Sequence, residues 1–128
     1  MDLISVFKER QEKSKSEYNT VLRSNNGRNP LIDTLQEKLD SCFYLRQAIQ
    51  DIVDGVNINW KFSKNYWVEK EPKPSNNLGG EKIIDLICND LKLGFSFLDE
   101  KVPMWLIYLY KYELSSVRLL YTEIEKLK

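Results

Sequence analysis

The chain has 128 residues, of which 42% are hydrophobic and 30% charged, and nineteen basic side chains balance nineteen acidic ones. This composition is neither that of a disordered chain nor that of a membrane-spanning one, and the zero net charge leaves no overall positive field for a polyanion. Histidine is absent. Its absence excludes Ser-His-Asp and Cys-His catalytic systems and the zinc sites that use imidazole.

The sequence also predicts the cellular compartment. Residues 1–7 have no basic stretch ahead of their apolar positions, and the charged residues 8–10 end the apolar run, so no secretory signal is expected. The longest apolar stretch, residues 102–110, has about half the length of a bilayer span. Cys42 and Cys88 lie in apolar helical patterns. We therefore expect a cytoplasmic protein whose two thiols are buried, reduced and not bonded to each other.

A first helix is predicted over residues 2–24. Its apolar residues lie at the two ends and its middle, residues 8–17, is almost wholly polar. We therefore expect it to pack at its ends and to be exposed between them. The Asn- and Gly-containing residues 24–29 then form a loop.

A long amphipathic helix is predicted from Asn29 to about Asp54. Asn29 is a favourable N-cap, Pro30 suits the first turn, and Gly55 is the expected residue just beyond the end. Arg46 interrupts the apolar stripe of this helix. We expect its side chain to extend along the margin of the stripe to solvent, because an unpaired buried charge is costly. A pair with a carboxylate at the edge of the core is the alternative.

The remaining elements complete an all-α fold. Residues 56–63 alternate apolar and polar side chains and residues 66–68 are again apolar, which predicts a short β-hairpin or extended arm over residues 56–70 that occupies residues 56–78 together with its linker. A third helix is predicted over residues 81–93, and a fourth begins near residues 102–103 and reaches the C-terminus. We therefore predict a single domain, a bundle of about four helices with the hairpin or arm between helices two and three.

The apolar stripes of these helices predict the core of the bundle. Residues that recur at spacings of three and four on one helix face are expected to point toward the neighbouring helices. The residues expected to be nearly fully buried are Leu39, Ile49, Ile87, Ile107, Leu114 and Val117.

Nine residues in two groups are the candidate contacts with a partner. Exposed Trp and Tyr are enriched at the energetic centres of interfaces, whereas the same rings, if buried, would cover the helical core. The first group interleaves aromatic rings with lysines: Trp60, Phe62, Lys64, Tyr66, Trp67 and Lys70. The second is a stripe on the fourth helix: Trp105, Tyr108 and Tyr112.

These residues favour a non-enzymatic protein-binding domain that acts stoichiometrically, as an inhibitor, an immunity or anti-defence factor, or a small assembly subunit. No catalytic, cofactor-binding or metal-ligating residue is assigned, no cofactor is expected, and the partner is expected to be a protein rather than a membrane. A homodimer stays open.

Two other functions are weighed against this one. The first is a nucleic-acid-associated protein that uses the aromatic and lysine residues of segment 60–73, with rings stacked on bases. The second is a carboxylate-dependent metalloenzyme that uses the pairs Asp33/Glu37 and Asp51/Asp54 of the second helix.

Replacement of Trp67 by Ala distinguishes a binding role from a core role. If the ring is exposed in a binding surface, Trp67→Ala should leave the melting temperature nearly unchanged and weaken the partner complex by roughly thirtyfold. Lys64→Ala should change mainly the association rate and its salt dependence. Thermal denaturation and binding kinetics measure both effects. A Trp67→Ala variant that unfolds, yet keeps its affinity per folded molecule, would assign the ring to the core.

Overall fold

The computed structural model describes residues 2–56, 80–94 and 100–128. Within these ranges all regular secondary structure is helical and forms four helices: α1 (Leu3–Tyr18), α2 (Pro30–Val53), α3 (Ile83–Leu93) and α4 (Met104–Lys126). The prediction of an all-helical architecture is confirmed for this part of the chain. The predicted hairpin or arm lies almost entirely outside the described residues, since residues 57–79 are not among them.

The ends of α2 follow from the local chemistry that the sequence predicts. The side-chain oxygen of Asn29 accepts hydrogen bonds from the backbone N–H groups of Leu31 at 3.1 Å and Ile32 at 3.3 Å, and Pro30 occupies the first turn. At the other end Gly55 has a φ of 74°, a left-handed conformation that glycine adopts without strain. Both predicted boundaries of this helix are confirmed.

α1 is shorter than predicted. The Asp2 carboxylate accepts a hydrogen bond from the Ser5 N–H at 2.7 Å and caps the start of the helix. Asn19 then takes a left-handed backbone conformation with a φ of 59°, which ends the helix well before residue 24. The expectation that the apolar ends of α1 are packed is wrong, because Leu3 and Phe7 are both about two-thirds exposed.

The chain separates into two compact units. Among the described residues the first unit holds α1 and the loop that follows it, and the second holds α2, α3 and α4. In the second unit α2 packs against both α4 and α3, and its contact with α4 is the more extensive. None of the four described helices is long and apolar enough to cross a membrane. The single-domain organisation stays a prediction.

The core of the second unit lies where the C-terminal half of α2 packs on the N-terminal half of α4. Its buried residues are Ile49, Val102, Leu106, Ile107 and Tyr110, and the partly buried side chains packed against them are Leu45, Ala48, Ile52, Val53 and Leu114. The prediction of burial is confirmed for three residues: Ile49, Ile107 and, on α3, Ile87.

The other half of the α2–α4 pair is less well packed than the sequence predicts. Leu114 and Val117 are only partly buried, and Leu39 is 42% exposed. The prediction that these three residues are nearly fully buried is therefore wrong. An amphipathic stripe shows which face of a helix is apolar, but it does not show where the neighbouring helix stops covering that face.

Truncation of two leucines should separate the packed end from the open end. Leu106 is 2% exposed, so Leu106→Ala should lower the free energy of unfolding by about 2–5 kcal/mol. Leu39→Ala should cost only about 1 kcal/mol, because nearly half of that side chain is already in water. Urea unfolding measures both losses. Equal losses of several kcal/mol would show that Leu39 is packed as tightly as the core.

Candidate functional site

A buried polar cluster joins the three helices of the second unit. Oδ2 of Asp90, on α3, accepts a hydrogen bond from Nε of Arg46, on α2, at 2.9 Å. The same oxygen accepts a hydrogen bond from the hydroxyl of Tyr110, on α4, at 2.6 Å. The side chains of Arg46 and Asp90 are 4% and 12% exposed, and Tyr110 is fully buried. These three residues are called the Asp90 cluster below.

The position of Arg46 corrects the expectation that it extends to solvent. Its guanidinium also donates through Nη1 to Oε1 of Gln50 at 3.1 Å, and Gln50 donates in turn to the Asp54 carboxylate at 2.9 Å. Charge-assisted hydrogen bonds of this kind compensate the cost of removing a guanidinium from water. The Asp90 partner lies 44 residues away in sequence, so the apolar period of α2 does not reveal it.

The Asp90 cluster keeps the phenol of Tyr110 protonated. Burial raises the pKa of Tyr110 above its ordinary value, and the hydrogen bond to Asp90 and the charge of that carboxylate raise it further, against the opposing effect of Arg46. Any tyrosine is protonated at physiological pH, and the raised pKa of Tyr110 keeps its phenol a hydrogen-bond donor to higher pH. The cluster has the character of a fixed connection between helices rather than of a proton-transfer site.

An apolar groove of about 570 Å³ is bounded by α2, α3 and α4, a volume typical of binding sites in proteins. It begins one helical turn from the Asp90 cluster, because Cys42 precedes Arg46 by four residues and Leu114 follows Tyr110 by four. Of the lining residues that the structure describes, Arg118 is the one that is charged. The residues that line it are Leu35, Leu39, Cys42, Phe43, Ile84, Ile87, Cys88, Leu91, Leu114, Val117, Arg118 and Tyr121.

Both cysteines line the groove, and they differ in exposure. Each is a free thiol, and Cys42 is buried as predicted, but the prediction that Cys88 is buried is wrong, because this residue is exposed. Burial raises the pKa of Cys42 to about 11; the negative charge of Glu113 adds to this rise and the positive charge of Lys38 opposes it. Glu113 and Lys38 pair with each other at 3.2 Å and connect α4 to α2.

The aromatic stripe predicted on the fourth helix is exposed. Its i, i+3, i+7 spacing places the three rings on one face of α4, and they are 56%, 60% and 69% exposed in the order Trp105, Tyr108, Tyr112. The other predicted contact residues lie outside the described ranges: Trp60, Phe62, Lys64, Tyr66, Trp67 and Lys70.

The acidic pairs of α2 do not form a metal site in the part of the chain that the structure describes. No three Asp, Glu, Cys or His side chains there lie close enough together to hold a metal ion. Burial raises the pKa of Asp51, and the nearby charge of Asp54 raises it further. Asp54 itself accepts the hydrogen bond from Gln50. These observations give no support to the carboxylate-dependent metalloenzyme.

Comparisons of the chain with protein families, with characterised proteins and with solved structures find no match.

Removal of the Asp90 carboxylate should strongly destabilise the second unit. Asp90→Ala takes away the ion-pair partner of a buried guanidinium, a loss that costs about 3–5 kcal/mol. Asp85→Ala removes an exposed carboxylate from the same helix and should cost less than about 1 kcal/mol. Urea unfolding of the two variants measures the difference. A small loss in both would mean that α3 does not depend on the Asp90 cluster.

The free energy of unfolding should fall as the pH rises above about 10. An unfolded tyrosine ionises near pH 10, whereas folded Tyr110 keeps its proton because its pKa is raised. The stabilising contribution is therefore complete below about pH 10 and is lost as the pH rises toward the higher pKa of the folded state. Tyr110→Phe should remove this part of the pH dependence. Denaturant unfolding between about pH 8 and 11 tests this prediction. Equal slopes of the free energy of unfolding against pH for the wild type and Tyr110→Phe would contradict it.

The two thiols should differ in reactivity. Cys88 should react quickly with a maleimide in the native protein, because it is exposed. Cys42 should react slowly until denaturant is added, because it is buried and its raised pKa leaves little thiolate at neutral pH. Mass spectrometry of time points identifies each site, and Cys88→Ser isolates the slow thiol. Fast native labelling of Cys42 would contradict its burial.

Proposed function

We propose that the protein is a non-enzymatic protein-binding domain that acts by forming a stoichiometric complex. The observation that carries this proposal is the apolar surface of the groove. Several of its large side chains are about two-fifths to one-half exposed: Leu39, Phe43, Ile84, Leu91 and Tyr121. Contiguous apolar surface of this kind is rare on soluble proteins unless it binds a partner.

The chemistry of the groove favours a protein over a polyanion. A nucleic-acid phosphate backbone is held by several cations, and Arg118 is the one charged residue among the described residues of the lining. The apolar side chains would instead match the apolar core of a protein interface, with the guanidinium at its edge. The buried thiol of the lining gives no support to an enzymatic role, since Cys42, with its pKa of about 11, is a poor nucleophile at neutral pH.

The exposed aromatic face of α4 is a second region suited to protein contacts. Trp105, Tyr108 and Tyr112 belong to the residue types that contribute most to interface energies. An inhibitor, an immunity or anti-defence factor and an assembly subunit would each use such a complex, so the proposal comprises all three roles. The identity of the partner decides among them.

Affinity capture with matched variants tests the proposal. The full chain is immobilised, exposed to extract of its source cell, and the bound protein is identified and quantified by mass spectrometry. We expect one protein at a one-to-one ratio, retained after nuclease treatment and after chelation of divalent ions. Leu39→Glu should abolish capture because it places a charge in the groove, whereas Leu93→Glu should not, because Leu93 is 83% exposed and lies outside both the groove lining and the aromatic face of α4.

Three results would contradict the proposal. Loss of the captured material on nuclease treatment, together with steep salt dependence on heparin, would indicate nucleic-acid binding through phosphate contacts. Loss on chelation, with heat released on titration of divalent ions, would favour the metal-dependent alternative. Equal capture by the wild type, Leu39→Glu and Trp105→Ala would show that neither described surface binds.

A further inference from the structure

The three helices around the groove present their lining residues with the same spacing. On each helix the first lining residue is followed by another three or four positions later and by another seven positions later. The first lining residues are Leu35 on α2, Ile84 on α3 and Leu114 on α4. Seven residues of α-helix rise about 10.5 Å. Each helix therefore offers the groove two turns of side chains, and the three contributions have equal length.

This spacing is the one by which helices pack beside other helices. Apolar residues that recur at three and four positions keep one stripe turned toward a neighbouring helix along its length. α2 and α4 use such stripes against each other around Ile49 and Leu106, where they are buried. At the groove the stripes continue, but Leu39, Leu91 and Tyr121 are 42%, 48% and 54% exposed. The groove therefore has the lining of a helix-packing position that none of the described helices of the second unit occupies.

The positive charge of Arg118 favours a negatively charged group in any segment that binds in the groove. Arg118 lies four residues after Leu114 and three before Tyr121, within the series that α4 presents to the groove. Among the described residues none accepts a hydrogen bond from its guanidinium, whereas its backbone oxygen accepts one from the Thr122 hydroxyl. An apolar residue placed over this group would desolvate the charge at a cost, whereas a carboxylate would pair with it, often through two hydrogen bonds.

We propose that the groove binds one amphipathic helix of a partner protein, which inserts apolar side chains at i, i+3 or i+4, and i+7 and places an Asp or Glu against Arg118. This inference rests on the proposed function, a protein-binding domain, and names the kind of segment that the domain recognises. An extended peptide that binds by adding to the edge of a sheet is not favoured, because the three helices offer no such edge.

A peptide library displayed on phage tests the inference without knowledge of the natural partner. Peptides of about 18 residues, long enough to form a helix in solution, are selected on the full-length protein. Each selected peptide is then tested for protection of Cys88, an exposed thiol in the groove lining, against alkylation. Buried Cys42 is the internal control for unfolding. The selected peptides are also measured against Arg118→Glu and against Lys92→Glu, an equal charge reversal at an exposed α3 residue outside the groove.

We expect the selected peptides to share the helical apolar spacing and an acidic residue, and to slow the alkylation of Cys88 at least about tenfold. Their affinity should fall at least about tenfold for Arg118→Glu and be unchanged for Lys92→Glu. Replacement of the peptide's acidic residue by Lys should restore its affinity for the Arg118→Glu variant. Prior alkylation of Cys88 should abolish binding.

Several results would overturn the inference. Selected peptides without helical periodicity, equal affinity for the wild type and Arg118→Glu, or no peptide that protects Cys88 would each do so. Alkylation of Cys88 in the free protein as slow as that of Cys42 would mean that the groove is already covered by this chain or a second copy.

The test of the inference and that of the proposed function give distinguishable failures. If a partner is captured from the cell but no helical peptide protects Cys88, the function stands and the inference fails. If helical peptides bind in the expected way but no one-to-one partner is captured, the groove assignment stands and the proposed function fails.

Discussion

The second unit of the protein depends on one carboxylate oxygen that receives hydrogen bonds from two other helices. α3 has eleven residues and one buried side chain, Ile87, which is 7% exposed. Burial of such a side chain contributes about 1.5–3 kcal/mol, and an isolated helix of this length is marginal in water. The hydrogen bonds that Asp90 accepts from Arg46 and Tyr110 add stabilisation that the apolar contacts of α3 do not provide. They fix the position of α3 against both α2 and α4.

The position of the Asp90 cluster also explains why the core and the groove adjoin. On one side of it, α2 and α4 bury Ile49 and Leu106 against each other. On the other side the same two helices continue with apolar stripes, and α3 lies beside them as a third boundary. A buried charge pair stabilises a fold only when its geometry is well satisfied, but it is well suited to specify one arrangement of helices. In this protein the pair of Arg46 and Asp90 holds α3 in a position where the apolar residues of α3 line the groove.

Much of the fold could be predicted from the sequence because the responsible interactions are local. The N-cap at Asn29 and the left-handed Gly55 need only neighbouring residues, and the burial of Ile49 and Ile107 follows from the period of each helix. α1 ends earlier than predicted because Asn19 adopts a left-handed conformation that a polar helical pattern does not exclude.

The candidate site was less predictable because it depends on contacts between distant segments. The pairing of Arg46 with Asp90 and the exposure of Leu39 and Cys88 follow from where α3 lies relative to α2 and α4. A helical stripe has the same sequence pattern whether its neighbour is present or missing. One signal of the groove is nevertheless visible in the sequence: a charged residue, Arg118, adjoins the apolar series of α4.

Amide hydrogen exchange of α3 tests the central role of the Asp90 cluster most directly. Asp90→Asn keeps the shape of the side chain and removes its charge, and Asp85→Asn is the matched control on the same helix. The account predicts that in Asp90→Asn the amides of Ile83–Leu93 exchange at least about tenfold faster, while those near Ile49 and Leu106 keep their protection and Asp85→Asn resembles the wild type. Unchanged protection of α3, or equal loss of protection in all three helices, would contradict it.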